Sequence, residues 1–132
     1  RALFTFLFNS LSTAHASFKS RTYITPLENQ LKQLHLEISN SLEQKHSIAR
    51  CAKQLNISES YFQLIYKKLF GQSFQQDLIL MRVTRARFNL STSNLSLSQI
   101  AELCGYNNEV HFYRQFKKLT GVTPAQYRKH PF

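Results

Sequence analysis

Apolar residues along most of this 132-residue chain recur at three- and four-residue intervals, the period of a helix with one buried face. Leu3, Leu7, Leu11, Ala14 and Phe18 make one such stripe. Phe62, Ile65, Tyr66 and Leu69 make a second, and Phe112, Phe116 and Leu119 a third. No stretch alternates with period two, so strands are not expected. Polar start signals divide the chain further. Thr25-Pro26-Leu27-Glu28 and Thr123-Pro124-Ala125-Gln126 read as capping boxes with Pro at the first helical position. Ser73-Phe74-Gln75-Gln76 and Ser96-Leu97-Ser98-Gln99 read as capping boxes without Pro, and Ser58 and Asn107 as N-caps. These signals predict helices over about 26–43, 47–55, 59–70, 74–91, 97–104, 108–119 and 124–129. The fold class is all-α, with about seven helices preceded by an N-terminal helix and a linker.

The stripe over residues 3–18 predicts a helix at the end of an upstream domain, with the linker running to about residue 25. Its apolar face needs a partner, and a homodimer through residues 3–18 is one way to supply it. Arg1, the apolar run Ala2 to Phe8 and Ala14-His15-Ala16 also mimic a secretory leader with a small-residue cleavage site. That run is short and interrupted by Thr5, so the helical stripe is the preferred reading.

The remaining helices contain an internal repeat. Ala52-Lys53-Gln54-Leu55-Asn56-Ile57 is followed by Phe62, Tyr66-Lys67-Lys68-Leu69 and Gly71. Ala101-Glu102-Leu103-Cys104-Gly105-Tyr106 is followed by Phe112, Phe116-Lys117-Lys118-Leu119 and Gly121. The second copy carries one inserted residue at the turn. Two copies imply a duplicated supersecondary unit, since a solenoid needs more. Each copy has the logic of a helix-turn-helix: a small Ala lets the second helix approach closely. Asn56 or Gly105 stands where the turn needs a left-handed backbone. Ile57 or Tyr106 then plugs the core.

Charge narrows the class of partner. Lys and Arg number 17 against 7 Asp and Glu, a net +10. From Arg50 onward twelve basic residues face four acidic ones, so +8 of the excess lies there. The basic residues alternate with apolar ones, so a folded element presents them and not a disordered arm. A polyanionic partner is expected. The two Cys preclude both a disulfide scaffold and a four-thiolate zinc site. No apolar run reaches the ~20 residues of a membrane span. No phosphate-cradling Gly loop, nucleophile motif or carboxylate pair appears, so no catalytic residue, cofactor or metal site is assigned. His111 has no catalytic or metal-binding companions, and the other His residues are scattered.

With both copies and the long helix between them in view, the sequence resembles the AraC/XylS family of transcriptional regulators, in its C-terminal DNA-binding domain. The likeness runs over about residues 26–132. It is densest over IAELCGYNNEVHFYRQFKKLTGVTPAQYR, Ile100 to Arg128. Ala52, Leu55, Ser58, Tyr61-Phe62, Lys67-Lys68 and Phe70-Gly71 carry it in the first copy, and Arg82 and Ala86 in the joining helix. Asn56, Asn89, Glu109 and Val110 depart from the family pattern.

The resemblance implies helix-turn-helix units at about 47–70 and 97–119, joined by a helix at about 74–91. Each second helix would enter a major groove, the two grooves lying one turn, roughly 34 Å, apart on the duplex. Eighteen residues of joining helix supply about 27 Å of rod. Expected base readers are Ser60, Gln63 and Leu64 in the first copy, and Glu109, Val110, His111, Tyr113 and Arg114 in the second. Gln63 suits adenine, Leu64 a thymine methyl, Arg114 guanine and Glu109 the cytosine amino group. Arg50, Lys67, Lys68, Arg82, Lys117 and Lys118 are expected on phosphates, where they set affinity and register but not sequence. The implied partners are double-stranded DNA and RNA polymerase, with no membrane, in a cytoplasmic, nucleoid-bound setting.

Other roles compete for some of these residues. Arg82 and Arg85 can pair with Asp77 or cap carbonyls instead. The Phe and Tyr stripes can stack single-stranded bases, but helical spacing favours core. Cys51 and Cys104 read as small buried hydrophobes. The rival function is a basic helical module for RNA or anionic membrane without sequence specificity; the duplicated Lys-Lys positions argue against it.

Overall fold

The computed structural model describes residues 25–132. The helix expected over 3–18, the linker after it and the dimer contact lie outside the described residues. Seven helices are described: α1 Pro26–Ser39, α2 Ile48–Leu55, α3 Glu59–Phe70, α4 Phe74–Thr92, α5 Leu97–Leu103, α6 Glu109–Thr120 and α7 Pro124–Lys129. No strand occurs among the described residues.

The caps explain most of these boundaries. Thr25, Ser96 and Thr123 form complete capping boxes with Glu28, Gln99 and Gln126. Two amide donors that the first turn leaves free are satisfied in each. Two expectations need correction. Ser73 accepts from the Gln76 amide at 3.2 Å, but the Gln76 side chain does not reach back, so this is half a box. The N-cap of α6 is Asn108 and not Asn107; its side chain accepts from the His111 amide at 2.8 Å. Asn107 is the residue inserted in the second copy, and it moves the cap one place on. Helix α1 also stops at Ser39, short of residue 43. There the Ser39 and Ser41 hydroxyls donate to the Leu36 and Glu37 carbonyls, local bonds that compete with continuing the helix.

Two hydrophobic cores share α4. Leu31, Leu34, Ile38, Phe62, Tyr66, Phe74 and Leu78 belong to the first. Val83, Ala86, Leu90, Ile100, Phe112, Phe116 and Tyr127 belong to the second. Each fully buried aliphatic or aromatic side chain contributes roughly 1.5–3 kcal/mol. The repeat extends beyond the helix-turn-helix: Leu31, Leu34 and Ile38 of α1 recur as Val83, Ala86 and Leu90 of α4, 52 positions on. Helix α4 therefore closes the first unit with its N-terminal half and opens the second with its C-terminal half. Leu119 breaks the expected stripe, since it is 48% exposed. Tyr127 packs edge-on against Phe116 at 5.7 Å and closes the second core short of it.

Both turns have the same backbone bonds. The amides of Asn56 and Ile57 donate to the carbonyls of Lys53 and Ala52 at 3.1 and 3.0 Å. Those of Gly105 and Tyr106 donate to Glu102 and Ala101 at 3.1 and 2.9 Å. This is the Schellman pattern, which needs a left-handed residue after the helix. Asn56 takes it with φ 61° and Gly105 with φ 92°.

Candidate nucleic-acid interface

Helices α3 and α6 each bury one face and leave the other to solvent. Phe62 and Tyr66 in α3, and Phe112 and Phe116 in α6, are completely buried. These anchors fix which side chains point outward. Ser60, Gln63, Leu64, Lys67 and Lys68 are all exposed on α3. Glu109, Val110, His111, Tyr113, Arg114, Lys117 and Lys118 are all exposed on α6. Leu64 is 64% and Val110 60% exposed. His111 sits edge-on to Tyr106, ring centres 5.3 Å apart, which limits its freedom. The repeat also shows a residue that sequence reasoning passed over: Tyr61, 45% exposed, stands 50 positions before His111. The offset itself was the signal.

The basic residues separate into two groups. Arg85 donates through Nη2 to the Ser39 carbonyl at 3.1 Å, and Arg128 donates to the carbonyls of Leu90, Ser93 and Leu95. Arg87 donates to the Phe132 carbonyl at 2.8 Å and lies over the Tyr127 ring. These arginines hold the fold together. Lys67, Lys68, Arg114, Lys117, Lys118 and Arg50 are exposed. The one ion pair among the described residues is His35–Asp77, so no carboxylate there neutralises this second group.

Arg82 is engaged within the fold. Its Nε is buried without a hydrogen-bond partner among the described residues. Its Nη2 points to the Gln44 carbonyl at 3.4 Å and its guanidinium lies 6.0 Å from the Tyr106 ring centre. Burial lowers its pKa from the ordinary arginine value. It stands partly buried between the two units. Neither Arg82 nor Arg85 pairs with Asp77; carbonyl contact is the role both take.

The other titratable groups serve the interior. Burial pushes the thiols of Cys51 and Cys104 up to about 11, so they stay protonated and behave as apolar fillers. Asp77 is 8% exposed and accepts from Tyr66 Oη, Gln72 Nε2 and His35 Nε2 at 2.5, 2.9 and 3.1 Å. Burial pushes its carboxyl up, but those hydrogen bonds outweigh burial and hold it below the usual carboxylate value. No cluster of three or more His, Cys, Asp or Glu that could hold a metal occurs among the described residues. No helix among them is long and apolar enough to cross a membrane.

Comparison with known proteins agrees with this geometry. A helix-turn-helix domain family matches residues 51–130. The transcriptional activator RhaR of Salmonella schwarzengrund is 30% identical over 104 residues, covering 79% of this chain and 37% of RhaR. The C-terminal domain of the two-component response regulator yesN from Fusobacterium nucleatum superposes with a TM-score of 0.72 at 31% identity. That match covers 76% of this chain and 98% of that domain. The DNA-binding domain of the global transcriptional factor AdpA, solved in complex with a target DNA, gives 0.73 at 26% identity. It covers 80% of this chain and 92% of that one. The chain spans 12% to 37% of the length of four curated relatives that it matches. Two helix-turn-helix units sharing one helix, matched in sequence and in fold, place this chain in the AraC/XylS family as a DNA-binding domain of its transcriptional regulators.

Proposed function

We propose that α3 and α6 enter successive major grooves of one duplex and that the chain thereby regulates transcription from a specific sequence. The observation that carries this is the repeated helix face. In both helices, aromatic anchors 62 and 66, or 112 and 116, turn a mixed apolar, amide or guanidinium surface outward, followed by two lysines. The DNA complex of AdpA supports the duplex as ligand. Gln63, Leu64 and Arg114 present the chemistry for adenine, thymine methyl and guanine, and Glu109 that for the cytosine amino group. Ser60, Val110, His111 and Tyr113 complete the reading surfaces. Lys67, Lys68, Lys117, Lys118 and Arg50 take phosphates, where they fix register.

The test is a salt titration of duplex binding with two variants. Arg114→Ala is expected to lose about 1–3 kcal/mol and to relax preference at one base pair. Lys67→Ala is expected to weaken all sequences alike and to lower the salt slope by about one. Equal losses on every sequence for both variants remove Arg114 from the readers. A flat salt dependence, or tighter binding to single strands, defeats the duplex reading and favours the RNA or membrane alternative. RNA polymerase is the further partner in this proposal, and retention of polymerase on a bound promoter fragment only when the chain is present tests it. A homodimer through residues 3–18 predicts that removing residues 1–20 converts a sedimenting dimer to monomer; monomer in both cases ends that idea.

A further inference from the structure

The two helix-turn-helix turns adopt the same backbone but not the same surroundings. Asn56 is exposed, and its left-handed φ of 61° is tolerated by a residue with a side chain. Gly105, its counterpart, has φ 92°, beyond the range that a side chain readily tolerates, and its surroundings add a second requirement. A Cβ at Gly105 would collide with the Leu42 carbonyl oxygen and with Arg82 Nε. At Gly71 and Gly121, which end α3 and α6, a Cβ would meet nothing within 4 Å. Gly105 is thus the glycine whose missing side chain lets the second unit touch the first.

The contact is a seam with parts from both units. On the first unit's side stand the carbonyls of Leu42 and Gln44, in the segment between α1 and α2. That segment is braced by His46 Nε2, which donates to the Ser41 carbonyl at 2.7 Å. On the second unit's side stand Gly105 and the Tyr106 ring, which is itself tied to α6 by its hydroxyl donating to Gln115. Arg82, from the middle of α4, lies between them. A single helix fixes the distance between two units, but long helices bend. A second contact off the helix axis removes that freedom.

We propose that this seam of Gly105, Arg82 and the Leu42–Gln44 backbone fixes the phase of α6 relative to α3. It makes Gly105 and Arg82 determinants of the half-site spacing that the chain accepts. The proposal rests on the two-groove reading above. Both act in this proposal as positioning residues, through the contact between the units. Inserting one base pair rotates the second half-site by about 34° on a duplex of 10.5 base pairs per turn. A braced chain cannot follow that rotation, whereas a chain hinged at α4 alone can.

The experiment uses duplexes selected from a random pool by the unaltered chain, rebuilt with −1, 0, +1 and +2 base pairs between half-sites, together with each half-site alone. The unaltered chain is expected to lose about tenfold or more on a one-base-pair change, the size of a mismatch penalty. Arg82→Gln and Gly105→Ala are expected to reduce that penalty to about threefold or less while binding each single half-site as before. Variants that keep the full spacing penalty overturn the proposal. So do variants that lose the single half-sites in proportion, since the seam would then be holding the units together and not orienting them. Arg82→Gln introduces no clash and keeps the test open if Gly105→Ala fails to fold. An unaltered chain that binds one half-site as well as two overturns the two-groove reading itself, a different result from either of these.

Discussion

The two units of this chain repeat one plan with different interiors. In the first, Tyr66, Asp77 and His35 form a polar group beneath α1, α3 and α4. The same places in the second hold Phe116, Tyr127 and Arg87: the first two lie 50 positions on and the third 52. There the aromatic pair meets edge-on, and Arg87 lies over the Tyr127 ring at 5.6 Å. A buried carboxylate is unfavourable unless every lone pair direction finds a donor. Asp77 has three donors to set against that cost; the second unit avoids it with a ring. Both leave two lysines exposed at equivalent places on α3 and α6, Lys67-Lys68 and Lys117-Lys118. The interiors differ in chemistry while the exposed lysine pair is repeated.

Truncating the equivalent anchors tests whether the packing is truly duplicated. Phe62→Ala and Phe112→Ala remove side chains that are both 0% exposed, and each is expected to cost about 3–5 kcal/mol in chemical denaturation. Costs differing by more than about 2 kcal/mol break the equivalence.

The polar group of the first unit gives the next effect. Asp77→Asn is expected to cost about 1–3 kcal/mol at neutral pH, because a charge-assisted acceptor is lost to three donors. The pH dependence has a fixed sign. The folded carboxyl titrates below its ordinary 3.8. Its contribution is therefore present in full above that value and is lost as pH falls through the depressed folded value. Melting curves of the native chain and of Asp77→Asn should accordingly converge below about pH 4. A constant gap between them down to pH 2 contradicts the account of Asp77.

The smallest effect concerns the inserted residue. Asn108→Ala is expected to cost about 1 kcal/mol as loss of a helix cap, and Asn107→Ala less than about 0.5. The reverse order of melting temperatures would return the cap to Asn107 and shift α6 by one residue.

These residues also mark how far the sequence could be read. Capping boxes at Thr25, Ser96 and Thr123, the left-handed positions at 56 and 105, and the outward faces of α3 and α6 were all legible. Each depends on neighbours within a turn or two of chain. Asn108 was missed because two adjacent Asn residues offer the same chemistry, and only backbone geometry selects one. Leu119 was missed because periodicity says which face it shares, not whether anything covers that face. The carbonyl role of Arg85 was legible only as one alternative, and those of Arg87 and Arg128 not at all, because every residue carries a backbone carbonyl. Arg82 and Gly105 depend on a contact between units, far apart in sequence. The proposed base and phosphate roles rest on exposed chemistry, much of it at repeated positions.

Hydroxyl-radical footprinting on a selected duplex tests the central claim most directly. Two helices in successive grooves predict two protected windows on one face of the DNA, centred about 10 base pairs apart. One window alone, or protection spread evenly without regard to sequence, would contradict a chain that reads DNA with both of its units.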